Sequence, residues 1–309
     1  MLTRFLRWHP PLMLFSLLMG ALALASAVGL VVDDRILVGS PIWFKPFKFG
    51  ISLALYGVAL AWMLTQATRL KKLGWWAGTV LALGGTAEMV IIVGQVLRGR
   101  RSHFNVATDF DATLWVVMAG TILVVWVMHA IIALVLAFSR FTNRPAGLAI
   151  RLGLGIALVG LALGQLMAGQ DSGIEGIAGA HSVGVPDGGP YMPVTGWSTA
   201  GGDLRIPHFV GIHALQALPL LVVLLGRRAN TRVVWVAAAS YLGLTALTTW
   251  QALRGQPLLR PDSATWTAFL LLVTATVLAG AWALRTKPST TPSTPPRTTE
   301  TETEEPVAA

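Results

Sequence analysis

The chain has 309 residues, of which 54% are hydrophobic and only 12% charged, and its mean hydropathy of +0.65 excludes a soluble domain with a large core. The formal charge of +9 does not point to nucleic acid, because the basic residues flank apolar runs instead of sharing one helix face. The absence of cysteine excludes disulfides, thiolate metal sites, iron–sulfur clusters and covalent haem attachment.

A bilayer core requires about 20 apolar residues per helix. That requirement predicts an all-α integral membrane protein with eight spans, at roughly 11–32, 48–66, 74–97, 111–139, 147–168, 208–226, 232–254 and 265–285. Residues 1–286 then form one transmembrane domain. The first span follows Arg4 and Arg7 and contains Ala25-Ser26-Ala27, which a cleaved signal peptide would also show. Its apolar run continues through Val32, past that cut, so a retained span is expected. The segment Pro41-Ile42-Trp43-Phe44-Lys45-Pro46-Phe47 is amphipathic and is expected to lie flat at the interface.

Loop 169–207 is far longer than an ordinary connector. It is rich in Gly yet carries Ile174, Ile177, Val183, Tyr191, Met192 and Trp197, so an ordered cap is expected rather than a flexible linker. Residues 287–309 are Thr/Pro/Ser-rich with Glu300, Glu302, Glu304 and Glu305, and read as a disordered cytoplasmic tail.

Charge orients the spans. Connectors on one side hold Arg69, Lys71, Lys72, Arg140, Arg144, Arg227, Arg228 and Arg232 without an acid, the cytoplasmic signature. The opposite side mixes Asp33, Asp34, Asp109, Asp111, Asp171, Glu175, Asp187, Asp203 and Asp262 with several arginines. Both termini are therefore expected in the cytoplasm of a cell-membrane protein, with any working site opening outward. The basic loops also leave lipid as the expected partner and give no reason to invoke nucleic acid.

Two matches suggest a tandem duplication. Gln95-Val96-Leu97-Arg98-Gly99 returns as Gln251-Ala252-Leu253-Arg254-Gly255, and Pro46 with Gly50-Ile51 returns as Pro207 with Gly211-Ile212. Four spans per repeat would give parallel halves, 1–145 and 146–286. Ser52 then corresponds to His213.

Ionisable groups inside spans are costly and are candidates for function. At 1.5 Å per residue, Glu88 lies about 14 Å and His213 about 8 Å below the outer surface, while His129 is about 27 Å deep. Gln95 and Gln216 share the outer half, as do Gln165, Thr249 and Gln251. The bland reading of Glu88 is a protonated acid between helices, and of His213 a packing histidine. Arg151 is expected to snorkel to the cytoplasmic headgroups. Two polar patches lie outside: Arg98 through Asn105 with His103 and Asp111, and Trp197 through His208 with Asp203 and Arg205. Their arginines suit an anion, or equally the neighbouring aspartates; Asp109 and Asp203 also suit helix N-caps.

Zinc is not favoured, because His208 and His213 at i, i+5 do not share a helix face. Haem is not favoured either. The duplicated eight-span plan looks like haem A synthase, but no second axial histidine stands in span two or span eight, so the likeness is architectural. Other segments, Ser102-His103-Phe104-Asn105 with Asp111-Ala112, Asp187-Gly188-Gly189-Pro190, Trp197-Ser198-Thr199 and Asp203-Leu204-Arg205 through His208, Gly211, His213 and Leu215-Gln216, resemble a group of bacterial multi-pass membrane proteins with no assigned activity. That resemblance covers the chain to about residue 225 and implies a topology, not a reaction.

The expected site is therefore an outward polar pocket for a small anionic or zwitterionic ligand, in a sensor or transporter. Its candidate residues are Glu88, Gln95, Arg98, His103, Asn105, Asp111, Asp203, Arg205, His208, His213, Gln216 and Arg254, with Glu88 and His213 expected to approach each other. The alternatives are an enzyme acting from the outer face, with His213 as acid/base and Asp111 or Asp203 orienting it, and a scaffold whose polar residues join helices. The cytoplasmic half is nearly free of polar groups apart from His129, which favours a one-sided site over a transporter with two gates.

Overall fold

The computed structural model describes residues 6–285; the tail and Arg4 lie outside them. Among the described residues eight helices are long and apolar enough to cross a membrane, and the protein is an all-α multi-pass membrane protein. They are α1 (Pro10–Val32), α2 (Phe44–Thr65), α3 (Lys71–Leu97), α4 (Asp109–Ala137), α5 (Arg144–Leu163, extended by a turn at Gln165–Ala168), α6 (Arg205–Leu225), α7 (Thr231–Leu253) and α8 (Ser263–Arg285).

Local chemistry sets the boundaries. Asn143 and Asn230 cap α5 and α7 by accepting from Ala146 N and Val233 N, and a proline follows the cap in α5. Thr108, not Asp109, caps α4 by accepting from Asp111 N at 3.1 Å, so the expected Asp109 cap is corrected. Helices α3 and α7 end alike. Gly99 and Gly255 take left-handed φ of 67° and 70°, and the next residues, Arg100 and Gln256, donate back to the carbonyls of Gln95 and Gln251. That 6→1 closure satisfies carbonyls a helix end leaves open, and it requires the conformation glycine adopts without strain.

Within the first half the main helix pairings are α1–α2, α1–α3, α2–α3 and α3–α4; in the second they are α5–α6, α5–α7, α6–α7 and α7–α8. Lipid supplies no hydrophobic drive between helices, so close packing of small residues holds such pairs. A side chain on Gly160 would collide with the backbone of Gly211 and Ile212, and one on Gly50 with Met19 and Ala23. The halves meet chiefly through α4–α5 and α2–α6. Leu12, Phe15, Leu60, Leu81, Ile132, Leu136 and Leu154 fill the larger core, while Leu14, Leu24 and Val31 face outward.

Deep in that core a polar bridge joins three helices. Tyr56 of α2 hydrogen-bonds His129 Nδ1 of α4 at 2.6 Å, and His129 Nε2 meets the Leu154 carbonyl of α5 at 3.2 Å. Tyr56 therefore donates to Nδ1 while Nε2–H donates to the carbonyl, which accounts for this buried histidine without a ligand. Arg151, expected to snorkel, is exposed and donates to the Leu136 and Ser139 carbonyls where α4 ends, with its guanidinium over Phe141.

The long loop folds down over one end of the bundle. It forms a short antiparallel ladder, Ser182–Val183 with Gly202–Asp203, and bridges to Asn105 through Ile177. Its edges touch Gly39 through Gly188 and α7 through Gly202, which lies against the Ala252 carbonyl. The segment before α2 does not lie flat. A tight hairpin, Ile36–Leu37 with Ser40–Pro41, leads straight into α2 at Phe44, so Lys45 and Lys48 belong to the span's first two turns.

Candidate functional site

The polar groups at the capped end sort into those spent on structure and those left free. Asp111 is 1% exposed and accepts from Gln95 Nε2 (2.8 Å), Arg98 Nη1 (2.7 Å) and Thr108 Oγ1 (2.9 Å). Asp203, also 1% exposed, holds Arg205 through both oxygens and accepts from Ser198 N, while Arg205 donates on to the Gly196 carbonyl. Arg254 is bound to Asp262 and faces Thr265. Asn105 holds its own turn, donating to the Arg101 carbonyl and accepting from Ala107 N. Thus Gln95, Arg98 and Asp111 tie α3 to α4, Arg254 ties the end of α7 to the start of α8, Asn105 holds its own turn, and Asp203 with Arg205 braces the cap at the start of α6.

The free groups converge on Lys45. Its ammonium sits 5.8 Å from the Phe49 ring centre and has no hydrogen bond or ion pair among the described residues. It lies within charge–charge range of Lys48, Glu88, Asp187 and Arg205, and of His103 and His181. His103, His181 and His208 interact among themselves. Each uses its Nδ1 for support: His103 against Ser102 Oγ (3.1 Å), His181 against Asp187 (2.7 Å) and His208 against the Gly160 carbonyl (2.8 Å). None of the three Nε2 atoms has a hydrogen-bond partner among the described residues. Lys45 and the three rings are each half-buried.

Electrostatics separate the two members of the cap dyad. Burial raises the Asp187 carboxyl, but the His181 ring N–H and the backbone N–H groups of His181 and Ser182 outweigh it and hold it below the usual carboxylate range. Burial lowers His181 more than Asp187 raises it, with Arg205 and Lys45 adding to the lowering. His103 is pushed well below the ordinary imidazole value by burial and then by Lys45, His181 and His208. The result is an ionised carboxylate orienting a neutral imidazole.

Glu88 is 6% exposed, with Oε1 enclosed and unpartnered. Its charged neighbour is Lys45, not His213. His213 meets Gln216 Oε1 of its own helix at 3.3 Å and packs edge-on to Phe209 at 4.2 Å. The charge interaction of Glu88 is with Lys45, while the hydrogen-bond partner of His213 is Gln216. Gln216 keeps an enclosed, unpartnered Nε2.

Sequence reasoning missed Lys45, placed at an interface, and His181, passed over in the loop. Asp187 six residues after His181 was the available signal. Among the described residues no three His, Asp or Glu side chains are spaced to hold a metal ion. Surface cavities of about 320 Å³ beside His9, Lys71 and Trp75, and of about 370 Å³ between α5 and α7, lie away from the Lys45 cluster.

Fold and cluster together define a multi-pass helical membrane protein with a polar group of side chains beneath an ordered loop. No family model, curated protein or solved structure matches the chain.

Proposed function

We propose that the half-buried side chains around Lys45 form a crevice beneath the cap that binds a small anionic ligand on the non-cytoplasmic side of the cell membrane, as the binding site of a sensor or transporter. Both termini would then be cytoplasmic, and two parallel four-helix halves would frame the site. The observation that carries this reading is Lys45. An ammonium taken out of bulk water without a partner costs several kcal/mol, and Lys48 and Arg205 beside it are already committed to the Thr195 carbonyl and to Asp203. Three free imidazole nitrogens add donors or acceptors around the same point. The apolar opposite half of the bundle supports a one-sided site.

Purified protein should gain thermal stability from millimolar acetate or inorganic phosphate at constant ionic strength. Lys45→Met should abolish that gain. Equal stabilisation of wild type and variant by every anion would refute the reading.

A second reading rests on His181 and Asp187. A carboxylate orienting an imidazole whose other nitrogen is free is the base-and-orienter arrangement of acid–base enzymes. An enzyme acting from the same face would use His181 Nε2 as the base, in place of His213. Asp187→Asn would then suppress turnover while leaving anion binding intact.

A further inference from the structure

Two ionisable groups of opposite type, Lys45 and Glu88, lie within charge–charge range of each other without an ion pair among the described residues. The other acids enclosed there are hydrogen-bonded: Asp111 to Arg98, Asp203 to Arg205, and Asp187 to His181 and the backbone N–H of Ser182. Among the described residues, Glu88 is the one enclosed acid without a hydrogen bond, and half-buried Lys45 beside it has none either. The two sense each other's charge yet lie beyond ion-pair distance.

A bundle that needed only to neutralise these groups would bring them into contact, since each isolated charge is costly in a low-dielectric interior. Held apart, they make a complementary surface with a positive point and a negative point. Depth gives it direction: Lys45 stands in the first turn of α2, while Glu88 is nine residues inside the end of α3, about 14 Å along the helix.

We propose that the crevice takes a zwitterionic small molecule, its anionic end at Lys45 and its cationic, hydrogen-donating end at Glu88. This rests on the anion-binding reading and narrows its ligand class. A plain anion satisfies Lys45 but leaves Glu88 Oε1 bare. A zwitterion answers both, and a buried acceptor left unsatisfied is the costlier arrangement.

The test compares glycine, β-alanine and 4-aminobutyrate with acetate, propionate and butyrate as length-matched anions, by calorimetry and thermal shift on the full-length protein in nanodiscs. At least one zwitterion should bind tenfold or more tightly than its matched anion. Glu88→Gln should erase that preference while keeping the anion response; Lys45→Met should weaken both classes tenfold or more. Anions binding as well as zwitterions, with Lys45 dependence intact, would overturn this inference and spare the anion site. Absence of Lys45-dependent binding by either class would overturn both. If a variant fails to fold, the wild-type ranking decides the inference by itself.

Discussion

At the residue scale, the site depends on which polar groups already have partners. Arginines at the capped end attract attention in the sequence, but charge alone does not reveal that Asp111 and Asp203 occupy Arg98 and Arg205. Lys45 reads as an interfacial lysine because proline and aromatic residues surround it. Only the early start of α2 turns it inward. His181 and His103 carry a testable pH dependence. Both are lowered in the folded protein, mainly by burial, so the unfolded chain binds protons more readily than the native one. Native stability is therefore full above the unfolded imidazole value, about 6.5, and falls as pH drops below it. The limiting slope is about 1.4 kcal/mol per pH unit for each imidazole. Cap proteolysis should accelerate between pH 7 and pH 5, and His181→Gln should flatten that profile. An acid-insensitive cap in the wild type would contradict the neutral assignment.

At the element scale, the spans were legible because apolar length suffices: all eight appear, with ends displaced by a few residues. The start of α2 moved most, from 48 to 44, since a hydropathy pattern discounts Lys45 and Lys48 while a helix continuing from the hairpin includes them. Loop connectivity was less legible. An ordered cap could be expected from its apolar residues, but Gly39 meeting Gly188 or Gly202 meeting Ala252 is set by tertiary approach, not local pattern. The closest helix contact is α5 on α6, where Gly160 and Gly211 bring backbones together. Gly160→Ala should cost about 2 kcal/mol or more, because the new methyl meets backbone that cannot swing aside. Gly155→Ala, with open space around its Cβ, should be within about 0.5 kcal/mol of neutral. Reversible unfolding in mixed micelles measures both, and equal effects would refute the contact.

At the scale of the whole molecule, the polar cap end and the opposite end, whose connectors are basic and acid-free among the described residues, divide the protein. Ser102 and Ser198, natural choices for probing topology, are 5% and 8% exposed and unsuited to labelling. Exposed Glu175 in the cap and Thr142 at the basic end are better placed. The chain has no cysteine, so a single introduced thiol reports without background. The most direct measurement places that thiol at His208, beneath the cap, keeping Lys45 in place. Small anionic and cationic methanethiosulfonates are then applied from each side of oriented vesicles, with Glu175→Cys and Thr142→Cys as markers of the two faces. His208→Cys should react only from the side that labels Glu175→Cys, and faster with the anionic reagent than with the cationic one. Reaction from the Thr142→Cys side, or no preference between the reagents, would contradict an outward crevice whose free charge is Lys45.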